Sequence, residues 1–411
     1  MNNKELNSFL YYSYVPSCDS SGIPRVIRST LQENRSHFQD EELYKKLIEA
    51  FTRALQNELT SCNSNKTHVV PLSSGLDSRL ILAGLLDSDR VLPENIHTIS
   101  FGVPGTWDYE LGQQVARVAG VSNRSIDLSN KSFDWSLDTI QNYAESQSAY
   151  TRILDGYVNS RILNYVADDS IIWSGFMGDP SAGGHVMSDP VHSWNKACND
   201  FGEHEMYCKG LSSPDFDPTS CFPKQPLISR DLLSYEEQLD FAYRQTCLIK
   251  PIVIHSGKYK TPFMQPSWLR FALNLPRRMR YDRKLFKKAC LEEYPELFSV
   301  PTDANFGLPI NETGLKRTTY RIKAGIQSRF SQLLSTLYTH PGTNYMNFEL
   351  AMRRDTELRE TMKTLVFLFE ERDRADWVDP LEIWSEHQSG SDRTNAIRLI
   401  ASAELHLGSS S

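Results

Sequence analysis

The chain has 411 residues, of which 40% are hydrophobic and 23% charged, and its formal net charge is −7. This length favours two domains over a single core, and the acidic balance argues against a general nucleic-acid-binding protein. The sequence contains no apolar run long enough to span a bilayer, and its first residues, MNNKELNSFLYYSYVP, lack the pattern of a signal peptide. We therefore expect a cytoplasmic protein without nucleic-acid or membrane partners.

The first part of the chain has little periodicity up to residue 40. We interpret residues 1–40 as an N-terminal extension or small cap. The stretch from Glu41 to Leu59 is predicted to be a helix because its apolar residues recur at helical spacing, at Tyr44, Leu47, Ile48, Phe51 and Leu55.

Strand and helix patterns then alternate up to about residue 184. The runs THVVPL, NIHTISFG, RSIDLS and DSIIWSG predict four strands, and LDSRLILAGLLDS and DYELGQQVARVAG predict helices between the first three. Such alternation predicts parallel strands covered by helices on both faces, the doubly wound α/β class. Residues 41–184 are therefore predicted to form a nucleotide-binding core, with ligands bound beyond the carboxyl ends of its strands.

The second half of the chain differs from the first in composition and periodicity. Residues 185–235 are rich in Ser, Asp, Pro and His and are interpreted as an irregular insertion or lid. Residues 236–407 read as a mainly helical C-terminal part, and residues 408–411 as a disordered tail. The seven cysteines include no CxxC pair, which argues against a zinc ribbon or a dithiol redox site.

The stretch PLSSGLDSR, residues 71–79, lies where the first strand ends and the first helix of the core begins. Small residues there let backbone N–H groups converge, the helix N-terminus adds positive potential, and serine hydroxyls add donors, so the stretch predicts a phosphate cradle. It is neither a Walker loop nor a dinucleotide fingerprint. Asp77 would repel bare phosphate but would fit if it held Mg²⁺. For this motif alone, an ordinary helix cap by Ser74 or Asp77 is the alternative.

Four ordered motifs carry a resemblance to a known family. SSGLDS (73–78) resembles the S-G-G-x-D-S loop of the synthetase domain of the asparagine synthetase family, with Ser74 in place of the first glycine. SFGVPGTWD is similar to the family's second strand and following aspartate, and SGFMGDPSAGG to its S-G-E-G-S-D-E-x-x-x-G segment. YKTPFMQPSWLRFALNLP resembles its R-x-P-F-L-D run and following helix. The resemblance covers about residues 60–310 and implies the PP-loop ATP-pyrophosphatase fold of the adenine-nucleotide α-hydrolase type.

The resemblance also implies an activity. Such enzymes adenylate a carboxylate with ATP, release pyrophosphate, and let ammonia or an amine attack the acyl-adenylate. Asp77 and Asp179 would hold Mg²⁺ against the triphosphate. Leu72 and Phe101 would bracket adenine, and the full set expected to bind the nucleotide is Leu72, Ser73, Ser74, Gly75, Asp77, Ser78, Phe101, Asp108, Ser174 and Gly175.

The sequence departs from the family where the chemistry of the second step lies. Phe176 stands where the family has a glutamate or tyrosine that helps deprotonate the amine, and His185 or Glu110 would have to act instead. Pro180 replaces a substrate-associated glutamate, and Asp303 stands where the family has a lysine. Lys258 and Lys260 are predicted to supply the missing positive charge, with Arg283, Lys284 and Lys287 as further candidates from the basic strip Pro276–Lys288.

The nitrogen source is predicted from the N-terminus. Full asparagine synthetases carry a glutaminase whose cysteine directly follows the initiator methionine, whereas here Asn2 follows Met1 and the first cysteine is Cys18. We expect no use of glutamine by this chain, with nitrogen supplied as ammonia, by a separate glutaminase, or as an amine on a small-molecule or peptide acceptor. The alternatives are a non-catalytic nucleotide-binding relative, which Phe176 and Asp303 favour, and an RNA-modifying enzyme, for which sulfur-handling cysteines would be needed.

Overall fold

The computed structural model describes residues 1–16, 24–31, 42–62, 66–129, 133–255, 257–333 and 339–408. Cys18, Glu41, most of residues 17–40 and the last three residues of the predicted tail therefore lie outside the described part of the chain. Within that part, no helix is long and apolar enough to cross a membrane.

The centre of the molecule is a five-stranded, all-parallel sheet with the strand order β3-β2-β1-β4-β5. In the register of the central strands, Val69 of β1 lies opposite His97 of β2 and Ile172 of β4. The strand bounds are β1 His68–Pro71, β2 Ile96–Gly102, β3 Ser122–Asp127, β4 Ile171–Trp173 and β5 Tyr259–Lys260.

Twenty α-helices surround this sheet in the described residues. A π-helical stretch, Asp240–Ile249, joins the tenth and eleventh of them. The helix bounds are α1 Asn3–Tyr12, α2 Arg25–Thr30, α3 Leu43–Leu59, α4 Leu76–Leu86, α5 Trp107–Ala119, α6 Leu137–Glu145, α7 Ile153–Ser160, α8 Gly178–Ala182, α9 Trp194–Glu205, α10 Tyr235–Leu239, α11 Lys250–Val253, α12 Pro266–Asn274, α13 Arg277–Arg280, α14 Lys284–Glu293, α15 Pro295–Phe298, α16 Gly314–Leu333, α17 Phe348–Arg354, α18 Thr356–Glu371, α19 Pro380–Gln388 and α20 Thr394–Gly408.

The sheet separates two hydrophobic cores. Successive side chains of a strand point to opposite faces, so Val70 joins a core with α3, α4, α12 and α14, while Val69 joins one with α7, α18 and α20. The first residues of the chain belong to the second core, since Leu6, Phe9 and Leu10 of α1 are fully buried there. Helices cover both faces of the parallel strands, and the predicted α/β class is confirmed.

The structure adds elements that the sequence patterns did not predict. Strand β5 has only two residues, too few for alternation or an apolar run to reveal it. Helix α9 lies inside the stretch 185–235, which we interpreted as irregular; its Ser193 side chain caps it by accepting from the Lys196 amide. Its polar residues outnumber the buried ones, and this weakens the periodic signal.

Candidate active site

The candidate site lies where the strand order reverses. The chain runs from β1 outward through β2 and β3 and then returns to place β4 on the other side of β1. The loops that leave the carboxyl ends of β1 and β4 therefore diverge and open a crevice, the usual ligand position in open parallel sheets. Residues 72–75 follow β1 and residues 174–177 follow β4, so both motif segments border this crevice.

A cavity of about 330 Å³ occupies the crevice. Its lining contains every residue that we predicted to bind the nucleotide except Ser74. The lining residues are Pro71, Leu72, Ser73, Gly75, Asp77, Ser78, Phe101, Asp108, Asn159, Ile162, Trp173, Ser174, Gly175, Val253, Tyr259, Asp303, Asn344 and Tyr345. Residues from distant parts of the chain thus meet at one sheet edge.

Ser74 holds the loop in shape instead of facing the cavity. Its backbone N–H and its hydroxyl both donate to the same oxygen of Asp108, over 3.0 and 2.7 Å. Burial raises the pKa of Asp108, against the effect of these two hydrogen bonds. Asp108 lies in the first turn of α5, so the contact ties the loop after β1 to the N-terminus of α5.

Arg79 is a positioning residue that the sequence analysis missed. Its guanidinium is fully buried and donates to four backbone carbonyls, those of Ser74, Leu297, Val300 and Pro301. The bond to Ser74 is 2.9 Å long, and the bond to Val300 is 2.7 Å long. Arg79 therefore fixes the phosphate-type loop against the segment that carries Asp303. The sequence did offer a signal of its burial, because Arg79 is a single charged residue directly before the apolar run LILAGLL.

Asp77 offers an oxygen without a partner. Its Oδ1 and the hydroxyl of Ser78 are both buried without a hydrogen-bond partner in the described structure. Burial raises the pKa of the Asp77 carboxyl, the nearby Arg283 lowers it, and the charge of Asp179 raises it further. Gly178 approaches so closely that a Cβ there would lie 2.4 Å from the Asp77 Cγ. A buried, desolvated carboxylate oxygen of this kind is suited to a cation.

Asp179 is held by two positive groups. Its Oδ1 lies 2.9 Å from the Arg283 guanidinium, and its Oδ2 lies 3.2 Å from Nε2 of His185. Burial alone would raise the pKa of Asp179, but the His185 hydrogen bond and the Arg283 charge outweigh it and lower the pKa. Asp179 is therefore ionised, with its carboxylate fixed beside the loop that carries Asp77.

His185 connects this centre to the helical part of the molecule. Its Nδ1 lies 2.8 Å from Oδ2 of Asp240, which is itself buried in the π-helical stretch. Burial disfavours the charged ring, but hydrogen bonds to Asp179 and Asp240 prevail and raise the pKa of His185 to about 9. Both ring nitrogens of His185 therefore lie against carboxylates, and His185, suggested above as a general base, is not among the residues that line the cavity. Glu110 is also outside the cavity lining, and its Oε1 accepts from the Gly105 amide over 3.0 Å.

The far end of the cavity is aromatic. Phe101, at the end of β2, stacks on Tyr345 with parallel rings whose centres are 5.6 Å apart. Leu72 and Tyr259 line the same cavity. Tyr345 has a φ of +58°, and Met177 and Arg283 near the two aspartates have φ values of +67° and +54°. Backbone strain of this kind concentrates at functional sites because it persists only where surrounding contacts impose it.

The structure corrects the placement of Lys258 and Lys260. Side chains alternate along a strand, so Tyr259 of β5 faces the cavity while its two neighbours point away. Lys260 donates to Ser61 over 2.8 Å and lies 3.5 Å from Glu58, and Lys258 lies 3.2 Å from Asp168. Both lysines line a different cavity. The cation that the structure brings to the aspartate pair is Arg283.

Phe176 is a core residue in this structure. It is 9% exposed and packs with the core that contains α4 and α12, as does its neighbour Met177. Its backbone N–H donates to the Ser174 hydroxyl over 3.2 Å. The position that carries a proton-accepting group in the family is therefore filled with apolar packing.

The comparisons with known proteins add no relative. No protein-family model matches the chain, and no curated protein matches it. Within the described residues, no group of three or more His, Cys, Asp or Glu side chains is arranged to hold a metal ion. Mg²⁺, however, is commonly held by one or two carboxylates together with phosphate and water.

Proposed function

We propose that this chain is an ATP-dependent carbon–nitrogen ligase of the asparagine synthetase type, with a PP-loop ATP-pyrophosphatase fold. One observation carries the proposal: Asp77, in the first turn of α4, lines the cavity, and Asp179, in the first turn of α8, lies directly beside it and donates its backbone N–H to the Asp77 carboxyl, while Arg283 pairs with the Asp179 carboxylate. The sequence resemblance assigns the same two aspartates to Mg²⁺. The geometry supports that assignment independently of the motifs.

One end of the cavity is apolar and suits the adenine base, and the other end offers hydrogen-bond donors that suit the phosphates. Phe101, Tyr345 and Leu72 offer an apolar slot for the base, with ring faces available for stacking. The hydroxyl of Ser78, which has no hydrogen-bond partner among the described residues, and the backbone of residues 73–75 offer donors for phosphate oxygens. Arg79 donates to the Ser74 carbonyl, and Asp108 accepts from the Ser74 amide. These two hydrogen bonds keep that backbone in place.

Asp77 and Asp179 would hold Mg²⁺, which neutralises charge on a triphosphate and favours departure of pyrophosphate. The buried Asp77 oxygen without a partner and the glycine at position 178 are the features that fit such an ion. Arg283 keeps the Asp179 carboxylate ionised and oriented, and it adds positive charge beside the leaving group.

The proposed reaction has two displacements. A carboxylate oxygen of the substrate attacks the α-phosphorus of ATP, and the bond to the β-phosphate oxygen breaks, which releases pyrophosphate. The nitrogen of ammonia or of an amine then attacks the acyl carbon, AMP leaves with its oxygen, and the nitrogen loses a proton. The acid is a small molecule or a peptide, and in this proposal nitrogen reaches the site as ammonia, from a separate glutaminase, or as an amine.

Proton removal in the second step falls to a group other than Phe176. Asp303 lines the cavity and is exposed, and its hydrogen bond from the Thr302 hydroxyl spans 3.1 Å. It is the carboxylate of the cavity that is neither part of the aspartate pair nor bonded to Ser74. We include Asp303 in the proposal as the group that accepts the proton, directly or through water.

The test is a paired assay on purified protein with ATP, Mg²⁺ and a panel of carboxylic acids, with ammonium or amines as acceptors. Pyrophosphate and AMP should form together, and mass spectrometry should find the amide. Asp77→Asn should abolish pyrophosphate release and the rise in melting temperature that Mg²⁺ and ATP cause. Asp168→Asn is the matched control. Asp168 is fully exposed, pairs with Lys258, and lies outside the cavity that Asp77 lines.

Formation of ADP and phosphate in place of AMP and pyrophosphate would contradict the proposal. A non-catalytic nucleotide-binding protein is the second candidate, favoured by the burial of Phe176. Stabilisation by Mg²⁺ and ATP that depends on Asp77, together with no pyrophosphate from any acid of the panel, would select it.

A further inference from the structure

Helix α16 differs from every other long helix of the described chain in how little of it is covered. All residues from 313 to 323 are exposed, and no residue from 314 to 329 belongs to either hydrophobic core. It makes no extensive contact with another described helix or strand. A helix in water draws most of its stability from the packing of one face, and the described part of this chain supplies no such packing for the exposed residues of α16.

The exposed surface of α16 includes an aliphatic stripe. Leu315, Ile322 and Ile326 are 88%, 57% and 51% exposed. Their spacing of seven and four residues places them along one face of the helix. Single exposed aliphatic residues are ordinary, but three in line on a helix without a cover form a contact surface.

The charge of α16 has one sign. Lys316, Arg317, Arg321, Lys323 and Arg329 lie between Gly314 and Leu333, and the helix contains no aspartate or glutamate. This is unusual in a chain whose net charge is −7. By helical spacing, Lys316 and Lys323 run beside the stripe on one side, and Arg329 follows Ile322 by two turns.

The basic surface continues beyond the helix. Arg317 and Arg321 line a cavity of about 550 Å³ together with Lys287, Asp282 and Glu312. Lys287 pairs with Asp282 over 2.7 Å, and Lys316 pairs with Glu312 over 3.0 Å. Lys287 belongs to the basic strip Pro276–Lys288, in which Lys284 and Lys288 are also exposed. Arg317 is steadied there by its Nε donating to Asn305 over 2.7 Å. The aliphatic stripe therefore borders a surface on which lysines and arginines outnumber the carboxylates.

We propose that α16 docks the protein peripherally on an anionic lipid surface. Leu315, Ile322 and Ile326 enter the headgroup boundary, and the lysines and arginines around them pair with lipid phosphates. An exposed helix with aliphatic residues on one side and only cations on its polar side has the chemistry of an interfacial helix. This is surface docking, and it is compatible with the absence of a membrane-spanning helix in the described residues.

The observations favour lipid over two other polyanions. A nucleic acid would satisfy the cations but would leave the aliphatic stripe against phosphates and water. An acidic protein would need a groove for this helix, and such interfaces are usually anchored by aromatic residues. The stripe consists of Leu and Ile, and the exposed Tyr320 of α16 lies off its line by helical spacing, so a fluid apolar boundary covers the stripe most simply.

The experiment is sedimentation of the full chain with vesicles of phosphatidylcholine, with and without phosphatidylglycerol, at low and high salt. Binding should require phosphatidylglycerol and weaken as salt rises. Ile322→Asp with Ile326→Asp should lower the partition coefficient at least about tenfold. Lys316→Gln, Lys323→Gln and Arg329→Gln together, which preserve helix propensity, should lower it by a similar factor.

Leu92→Asp with Val118→Asp is the matched control, because it adds the same charge at aliphatic residues that are 52% and 42% exposed outside α16. It should bind vesicles as the unchanged chain does, and melting temperature should be alike in all variants. Absence of vesicle binding, equal binding to neutral vesicles, or full binding by the Ile322/Ile326 variant would each overturn the proposal. RNA or an acidic protein bound through α16 in place of lipid would overturn it as well. Pyrophosphate release measured without lipid should be unchanged in every variant.

Discussion

The loop after β1 and the loop after β4 face the same crevice but are built in opposite ways. The first presents small polar residues, and Ser73, Gly75 and Ser78 all line the cavity. The second fills its corresponding positions with apolar residues, and Phe176, Met177 and Pro180 are buried. Ser174 and Gly175 of the second loop also line the cavity, and just beyond the loop the Asp179 carboxylate is held by Arg283 and His185.

The two loops differ because the first depends on its backbone N–H groups and the second on a single side chain. A cradle made of N–H groups needs small residues and little else, so its pattern stays visible in the sequence. A carboxylate that holds a metal depends on cations and on space that other segments supply. It depends less on its sequence neighbours, so Asp179 can occupy its position among apolar residues. The variants that follow change the second loop or its partners and leave the residues of the first loop intact.

Asp179→Asn should have the largest effect. We expect pyrophosphate release to fall roughly 1000-fold or more, because the carboxylate that pairs with Arg283 and completes the proposed Mg²⁺ site is lost. Steady-state rates over a range of Mg²⁺ concentrations would measure it, with Asp168→Asn as the control of equal charge change. A full rate in the Asp179 variant would remove the second loop from the metal site.

Arg283→Gln should be next, with a loss of about 100- to 1000-fold, as for removal of one charge-stabilising donor in other active sites. Lys258→Gln and Lys260→Gln should each change the rate by no more than about twofold, because these lysines bond to Asp168, Ser61 and Glu58. The three variants assayed side by side distinguish the structure's assignment from that of the sequence. A large loss at Lys260 with none at Arg283 would reverse it.

Phe176→Ala should lower the free energy of unfolding by about 3 kcal/mol, because a buried ring is removed from the core next to α4 and α12. Urea denaturation measures this loss. Phe176→Leu should retain most of the stability and, per folded molecule, the rate of the unchanged chain. A stable Phe176→Leu protein with a much lower rate would show that the ring takes part in chemistry.

Gly178→Ala should have the smallest effect of the four, a destabilisation of about 2 kcal/mol with weaker stabilisation by Mg²⁺ and ATP. The new methyl group would meet the Asp77 carboxyl at 2.4 Å, and Asp77 must move. Gly325→Ala is the control, since nothing lies within 4 Å of its Cβ position in α16. There alanine should raise stability by up to about 1 kcal/mol. Thermal melts with and without nucleotide separate the two outcomes.

Much of the fold was readable because its signals are local. Four strands and the helices between them follow from apolar runs and helical spacing over a few residues, and the phosphate-type loop follows from small residues at a strand end. The two-residue β5 and helix α9 lay beyond such patterns. The site residues Asp77 and Asp179 were likewise predicted from their motifs and the order of strands.

Sequence patterns were enough to predict the parallel α/β class and the sheet edge at which the motifs meet, and they also predicted Asp77 and Asp179 as site residues. The packing of distant segments brings Arg283, and not Lys260, to Asp179, joins Ser74 to Val300 through Arg79, and stacks Tyr345 on Phe101. Each of these contacts joins segments far apart in the chain. Which of many similar arginines or tyrosines arrives at a site depends on how the helices pack and on which face of a strand a side chain lies, and no local pattern carries that information.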